Sequence, residues 1–241
     1  MTLPNNPCLY DAINTTWPAR SLTVQNGWDI RDGAGGGKRV SAATLAADAL
    51  PDIALAEAAM KALNQGNLFM IRDGEDELDT ALAARGYRII DPVTLYACDN
   101  CILVNGPLPI AQSYAVWDPI HVMVEIWAAG GIPRQRIDLM HRVTTPKTGI
   151  LARDGDTPAG TAFIAMHGDV AMIHAVEVLA NHRRQGVAQK IMAQAAHWAA
   201  RQGAKYMTLM TTTDNIAANT LYQQMGMTAV GNYHYRIKDH P

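Results

Sequence analysis

The sequence predicts an α/β protein with a mixed sheet, assembled from two similar halves. Helical and strand-like apolar patterns alternate along residues 118–241, and a degenerate version of the same order runs through residues 1–103. Between them, residues 104–117 include Asn-Gly-Pro-Leu-Pro, whose prolines and glycine disfavour regular structure. We therefore expect an N-terminal domain over 1–103, a linker over 104–117 and a second domain over 118–241.

The C-terminal half begins with two helices that are separated by Gly-Gly-Ile-Pro. Two strands then meet at Asp154-Gly155-Asp156, which is a hairpin signal, and a strand, a helix, a strand, a helix and a last strand follow. In chain order these elements are predicted over residues 122–129, 134–142, 147–153, 160–166, 171–178, 187–202, 206–210 and from 215 onward.

The N-terminal half has a similar but less complete order. Two strands around a glycine-rich turn precede a helix, a strand, a second helix and an extended segment, predicted over residues 28–31, 39–42, 53–63, 68–71, 75–84 and 88–97. Aligning Gly86 with Gly226 places Leu82 where the second half has Tyr222.

The most informative segment is the turn between the predicted strand 171–178 and the predicted helix 187–202. A strand that turns directly into a helix leaves backbone N–H groups unpaired at the positive end of the helix dipole. Gly186 allows a ligand to approach the main chain, and Ala188 allows the helix to sit close to the sheet. These features predict an anion site that suits a pyrophosphate.

Two motifs resemble those of the GCN5-related N-acetyltransferases. Arg183, Gly186 and Ala188 match the Arg/Gln-x-x-Gly-x-Gly/Ala loop that follows a strand in that family. Downstream, residues 215–227 resemble its Asn-x-x-Ala-x-x-Leu-Tyr-x-x-x-Gly-Phe segment, with methionine at the last position. The resemblance, which covers about residues 118–238, implies the mixed-sheet acyl-CoA N-acyltransferase (GNAT) fold and acetyl-CoA as cosubstrate, without a metal. The cofactor-binding residues it implies are Val176, Val178, Arg183, Arg184, Gln185, Gly186, Val187, Ala188 and Asn215, the last also as a helix cap.

The resemblance also implies the catalytic groups. Tyr222 corresponds to the phenol that donates a proton to the departing CoA sulfur. For the base, His174 and Glu177 are the candidates. Strict alternation places residues 172, 174, 176 and 178 on one face of the strand and Glu177 on the other, unless the strand bulges. The resemblance implies that the face of His174 lies toward the amine.

These observations predict an acetyl-CoA-dependent N-acetyltransferase that moves an acetyl group to a primary amine by direct transfer in a ternary complex. The acceptor is a small molecule or a peptide, and the chain is compatible with a homodimer. The N-terminal half lacks both the pyrophosphate loop and the tyrosine, so we interpret it as a non-catalytic partner domain. Two alternatives stay open, a catalytically silent acyl-CoA sensor and an interaction protein with the same fold.

Composition excludes several other classes. Residues 111–241 contain 12 Lys and Arg against 9 Asp and Glu, which suits an anionic cofactor but is too weak a bias for nucleic acid. No apolar run approaches the length of a membrane span, and no signal peptide is visible, so we expect no membrane partner and a cytoplasmic location. Cys98 and Cys101 lack the second ligand pair of a zinc site, and residues 33–38 depart from a phosphate-loop motif.

Overall fold

A computed structural model describes residues 2–46, 51–104 and 111–238. The helices are α1 Asn6–Thr16, α2 Ile53–Ala62, α3 Asp76–Ala84, α4 Asn100–Leu103, α5 His121–Ala129, α6 Arg134–Arg142, α7 Val187–Arg201 and α8 Ile216–Gln224. The strands are β1 Ser21–Gln25, β2 Trp28–Asp32, β3 Thr44–Leu45, β4 Asn67–Arg72, β5 Arg88–Asp99, β6 Ser113–Val116, β7 Lys147–Asp154, β8 Thr157–His167, β9 Val170–Val178, β10 Tyr206–Thr212 and β11 Thr228–Lys238.

Side-chain caps mark the start of three of these helices. The side chains of Asn5, Asp52 and Asn215 accept hydrogen bonds from backbone N–H groups in the first turns of α1, α2 and α8. Such caps satisfy donors that the helix itself leaves unpaired. Helix α1 carries this signal together with Pro7 in its first turn, yet no helix is among the sequence expectations for this segment.

One eight-stranded sheet runs through both halves in the order β4-β11-β5-β10-β9-β8-β7-β6. Strand β5 of the N-terminal half lies between β10 and β11 of the C-terminal half and pairs antiparallel with both. Its residues Leu95, Tyr96 and Ala97 are almost fully buried as a result. The two halves therefore share backbone hydrogen bonds in the middle of one sheet.

One sequence expectation needs correction, and one expected segment contains an additional strand. Residues 39–42 are not a strand, because Lys38–Val40 forms a 3-10 turn whose N–H groups bond to carbonyls three or four residues back. Because these N–H groups are bonded within the turn, they cannot form strand-to-strand hydrogen bonds with a neighbouring strand. The expected linker over 104–117 contains strand β6, which pairs with β7 and closes one edge of the sheet, and residues 105–110 of that linker lie outside the described residues.

Strands β9 and β10 diverge at one end, and this divergence positions a cavity. They pair in parallel only between residues 170–172 and 206–208. Beyond Met172 and Thr208 the two strands diverge, and the edges that face each other are left without a ladder. Helix α7 packs on one face of the sheet, whereas α1, α5 and α6 cover the other. Among the described residues, no helix is both long and apolar enough to span a bilayer.

Candidate active site

A cavity of about 1000 Å³ opens where β9 and β10 diverge. Its walls come from the last residues of β9, the loop that leads into α7, the end of β10 and the first turns of α8. Eleven of the twelve sequence-predicted site residues line it, namely His174, Val176, Glu177, Val178, Arg183, Arg184, Gly186, Val187, Ala188, Asn215 and Tyr222. Gln185 is exposed on the same loop but is not part of the cavity wall.

The loop into α7 has the backbone geometry that an anion site needs. Arg184 and Gly186 both have positive φ values, +66° and +76°, so the chain folds back just before the helix begins. Gly186 is the N-cap of α7, and no side chain caps the first turn. A Cβ added at Gly186 would meet no atom within 4 Å, so the space beside this residue, at the start of the helix, is open. Arg183 and Arg184 line the cavity beside this space and add positive charge.

A bulge in β9 corrects the alternation expected from the sequence. His174 lies opposite Phe163, whereas Glu177 lies opposite Thr161, so two residues of β9 face a single residue of β8. Ala175 takes a φ of +50°, and its carbonyl accepts a hydrogen bond of 2.8 Å from the indole N–H of Trp127. The extra residue shifts the alternation by one position.

Because of this shift, Glu177 lies on the same side of the sheet as His174. Val176 and Val178 pack instead with the core beneath α7. The carboxylate of Glu177 lies against Gly130 at the end of α5, where a Cβ would come within 2.3 Å of its Cδ. It also forms an ion pair of 3.4 Å with Arg183, and its side chain is 18% exposed within the cavity.

Tyr222 lies in α8 with its ring packed 6.0 Å from the ring of Tyr96, measured between centroids. Burial raises the pKa of Tyr222 to about 12, so the phenol is protonated at neutral pH. No hydrogen bond within the described residues occupies its hydroxyl, although the residue is only 6% exposed. Asn215 begins this helix by accepting a 3.2 Å hydrogen bond from the Ala218 N–H.

Both ring nitrogens of His174 have partners. The Thr16 hydroxyl donates to the Ala12 carbonyl at 2.6 Å, so its oxygen can only accept from Nε2–H of His174 at 2.8 Å. This places the proton on Nε2, and Nδ1 accepts from the Arg39 guanidinium at 3.3 Å. Burial and the charge of Arg39 hold the pKa of His174 well below its ordinary value, which makes the ring neutral.

Comparison with known proteins adds independent information. The acetyltransferase (GNAT) family model matches residues 117–227. An uncharacterized N-acetyltransferase of Bacillus subtilis, YobR, is 24% identical over 234 residues, which are 92% of this chain and 94% of that protein. A solved GCN5-related N-acetyltransferase from Kribbella flavida is similar with a TM-score of 0.72 at 18% identity, covering 98% of this chain and 97% of its own. Residues 117–227 of the chain therefore belong to the acetyltransferase (GNAT) family.

The fold expected for a GNAT protein is confirmed. A tandem GNAT protein from the clavulanic acid biosynthesis pathway is similar with a TM-score of 0.64 at 14% identity, over 98% of this chain and 88% of that one. Likeness at this identity concerns the fold alone. The family match over residues 117–227 supports acetyl transfer as the general class of activity.

Sequence reasoning missed three side chains that line the cavity or contact the residues that line it or pack beside them. Arg39 lines the cavity although it belongs to the N-terminal half. Thr16 holds His174, and Asn219 accepts a 2.9 Å hydrogen bond from the hydroxyl of Tyr96, beside Tyr222. Their partners lie 123 to 158 residues away along the chain, so no local pattern could indicate them. Across residues 2–46, 51–104 and 111–238 no cluster of three His, Cys, Asp or Glu side chains suits a metal ion.

Proposed function

We propose that the protein is an acetyl-CoA-dependent N-acetyltransferase that transfers the acetyl group directly to a primary amine within a ternary complex. One observation carries the proposal: the loop before α7, the diverging end of β9 and Tyr222 all line one cavity. These are the parts that anion binding, carbonyl polarisation and leaving-group protonation require. Acetyl-CoA supplies the activated acetyl group as a thioester.

The loop before α7 fits the pyrophosphate of the cosubstrate. Its N–H groups lie at the positive end of a fifteen-residue helix, and the space in front of Gly186 is open. Arg183 and Arg184 add charge that two phosphates attract. The unpaired edge of β9 at Val176 and Val178 then offers backbone groups to the pantetheine and a donor to the acetyl carbonyl.

Tyr222 acts as the general acid in this proposal. The attacking amine forms the new C–N bond while the C–S bond breaks, and the sulfur takes the phenolic proton. A phenol whose pKa is about 12 stays protonated until strong base is formed next to it. Its hydroxyl has no competing acceptor among the described residues, which leaves it available to the sulfur.

Of the two base candidates, the geometry favours Glu177 as acceptor of the amine proton. Its carboxylate reaches the cavity and keeps oxygen lone pairs available besides the contact with Arg183. The lone pair of His174 is engaged by Arg39, and the nearby positive charge disfavours the protonated ring. We therefore assign His174 to positioning at the amine end of the site.

The N-terminal half is proposed to be a partner domain without its own cofactor site. Leu82 is fully buried and cannot transfer a proton, and helix α2 is capped by the side chain of Asp52. A carboxylate at that helix start repels a pyrophosphate. One acetyl-CoA per chain is therefore expected.

Calorimetry followed by a thiol-release assay tests the proposal. Acetyl-CoA should bind with a stoichiometry of one per chain, and a panel of primary amines should contain at least one that accelerates release of free CoA. Binding without acceleration by any amine favours the silent sensor, and no binding favours an interaction protein. Two equivalents per chain would contradict the role assigned to the N-terminal half.

A further inference from the structure

Arg39 brings a positive charge from the N-terminal half into the cavity at its amine end. It follows the glycine-rich turn of residues 33–37, and one guanidinium nitrogen lies 3.3 Å from Nδ1 of His174. The guanidinium carbon also lies 5.8 Å from the ring centroid of Trp17. Its Nε atom is buried and has no hydrogen-bond partner within the described part of the chain.

The guanidinium of Arg136, which belongs to α6, lies near the turn that carries Arg39. A Cβ added at Gly37 would lie 3.0 Å from Nη2 of Arg136, so the glycine leaves room for this side chain beside the turn that carries Arg39. The pKa of Arg136 is lowered, first by burial and then by the charge of Arg39. The positive charges of Arg39 and Arg136 therefore interact in a partly buried environment.

No carboxylate neutralises this pair. Neither Arg39 nor Arg136 forms an ion pair with Asp or Glu among the residues that the structure describes. Two acidic groups of this region already have partners, since Asp91 pairs with Lys38 and Glu177 pairs with Arg183. The groups beside Arg39 are the neutral ring of His174 and the phenols of Tyr233 and Tyr235.

Two guanidiniums close together and partly removed from water are unfavourable unless an anion offsets their charge. A planar fork of N–H donors is also the group best suited to bind carboxylate or phosphate oxygens. Arg39 lines the cavity together with His174 and Glu177, the two groups assigned to the amine end in the proposed function. An anion held there would place an amine on the same small molecule near Glu177.

We propose that the acceptor amine carries an anionic group, a carboxylate or a phosphate, which binds between Arg39 and Arg136. This inference rests on the proposed acetyltransferase function and names the acceptor class for the same site. It disfavours polycationic acceptors such as polyamines, because the arginine pair repels a second positive charge at that end of the cavity.

Steady-state kinetics with matched amines test the proposal. The panel contains amines of similar size that carry a carboxylate, a phosphate, a neutral amide in place of the carboxylate, or a second amine. The anionic amines should have the highest kcat/KM, and the comparison of the first two distinguishes carboxylate from phosphate recognition. Highest kcat/KM for the diamine or the neutral amide overturns the proposal.

Arg39→Gln and Arg136→Gln should each raise KM for the best anionic amine about 10- to 100-fold, with a much smaller effect on the neutral amide. Arg134→Gln is the matched control on α6, since Arg134 is exposed and pairs with Asp138. Lys38→Gln is the control beside Arg39. A fall in kcat that is equal for all amines, with unchanged KM, would assign Arg39 to positioning His174 and overturn anion recognition.

Direct binding separates this inference from the proposed function. Calorimetry with CoA present measures affinity for N-acetylated amines, which are products and need no turnover to bind. If anionic N-acetyl compounds bind and lose affinity in Arg136→Gln, the anion subsite stands even where catalysis has failed. A different outcome is that turnover occurs but the anionic and neutral products bind with the same affinity, in the wild type and in Arg136→Gln. That outcome would reject the anion subsite and leave the proposed acetyltransferase function intact.

Discussion

At the scale of single residues, the surroundings of Tyr222 and His174 give these two side chains different hydrogen bonding and opposite pKa shifts. Within the described residues, Tyr222 keeps a hydroxyl without a protein partner, whereas His174 has both nitrogens engaged. Burial raises the pKa of Tyr222 and lowers the pKa of His174, since in each case the charged form loses its hydration. The phenol is thereby kept as a proton donor and the imidazole as a neutral ring.

Tyr222→Phe should lower kcat by about 10²- to 10⁴-fold, because the change removes the proton donor and keeps the ring. Acetyl-CoA affinity should change little, since the packing against Tyr96 is retained. Pre-steady-state thiol release and calorimetry measure the two quantities. Tyr206→Phe is the control, because the hydroxyl of Tyr206 bonds to the Thr2 carbonyl. A loss in kcat below about threefold would make Tyr222 a packing residue.

Arg39→Gln should raise the pKa of His174, because one of the two causes of its depression is the charge of Arg39. In the wild type the ring should stay neutral as pH falls through its ordinary value of 6.5. The unfolded chain binds a proton there and the folded chain does not, so stability falls as pH drops below that value. NMR titration of the His174 ring, with Lys38→Gln as control, measures the shift. An unchanged pKa in Arg39→Gln would contradict the assigned contact.

At the scale of elements, the loop that leads into α7 and the bulge in β9 shape the cavity together. The loop turns through two positive φ values and exposes helix N–H groups, and the bulge rotates Glu177 to the side of His174. Trp127 holds the bulge through the Ala175 carbonyl. In the proposed function, the groups that bind cosubstrate and acceptor thus come from the end of β9 and the loop that follows it.

Gly186→Glu should abolish acetyl-CoA binding while the protein stays folded. The new side chain would enter the open space before α7, and its carboxylate would repel a pyrophosphate. A non-glycine residue at φ +76° also costs about 1–2 kcal/mol, so stability must be measured alongside affinity. Gly168→Glu is the matched control, since Gly168 has φ +57°, open space around it and no place in the cavity wall. Unchanged affinity in a folded Gly186→Glu protein would refute the loop assignment.

At the scale of the whole molecule, the two halves are joined by an exchange of strands. Strand β5 lies between β10 and β11, and β11 lies between β5 and β4. Helix α1 adds a second link, because Ala12 and Ile13 pack in the same cluster as Val170 and Met172. Each half therefore contributes strands that pair with strands of the other half.

The chain should therefore unfold in one cooperative transition, and Leu95→Ala should lower the free energy of unfolding of both halves together by about 2–5 kcal/mol. Leu95 is 1% exposed and belongs to β5, whereas the exposed Leu22 provides the control Leu22→Ala. Calorimetry measures the number of unfolding transitions and their midpoints, and hydrogen exchange of helices α2 and α7 measures the stability of each half. Two separate transitions, or protection lost only in the N-terminal half, would contradict it.

The sequence alone determined the class of fold, the loop from Arg183 to Ala188 and the helix that carries Tyr222. Each depends on contacts within a few residues: a glycine that adopts positive φ, an Asn cap, and a periodic apolar face. Local contacts of this kind can be predicted from a single sequence. For the same reason the bounds of α6 agree with the expected ones, and α5 begins one residue earlier than expected.

Only the tertiary structure decided which side of β9 carries Glu177, which groups hold His174, and how the halves join. The bulge depends on Trp127, which is 48 residues from the carbonyl it binds, and Arg39 is 135 residues from His174. The place of β5 depends on hydrogen bonds to β10 and β11, which come from the far half of the chain. These contacts form only when the chain is folded, because their energy comes from packing and pairing between distant segments.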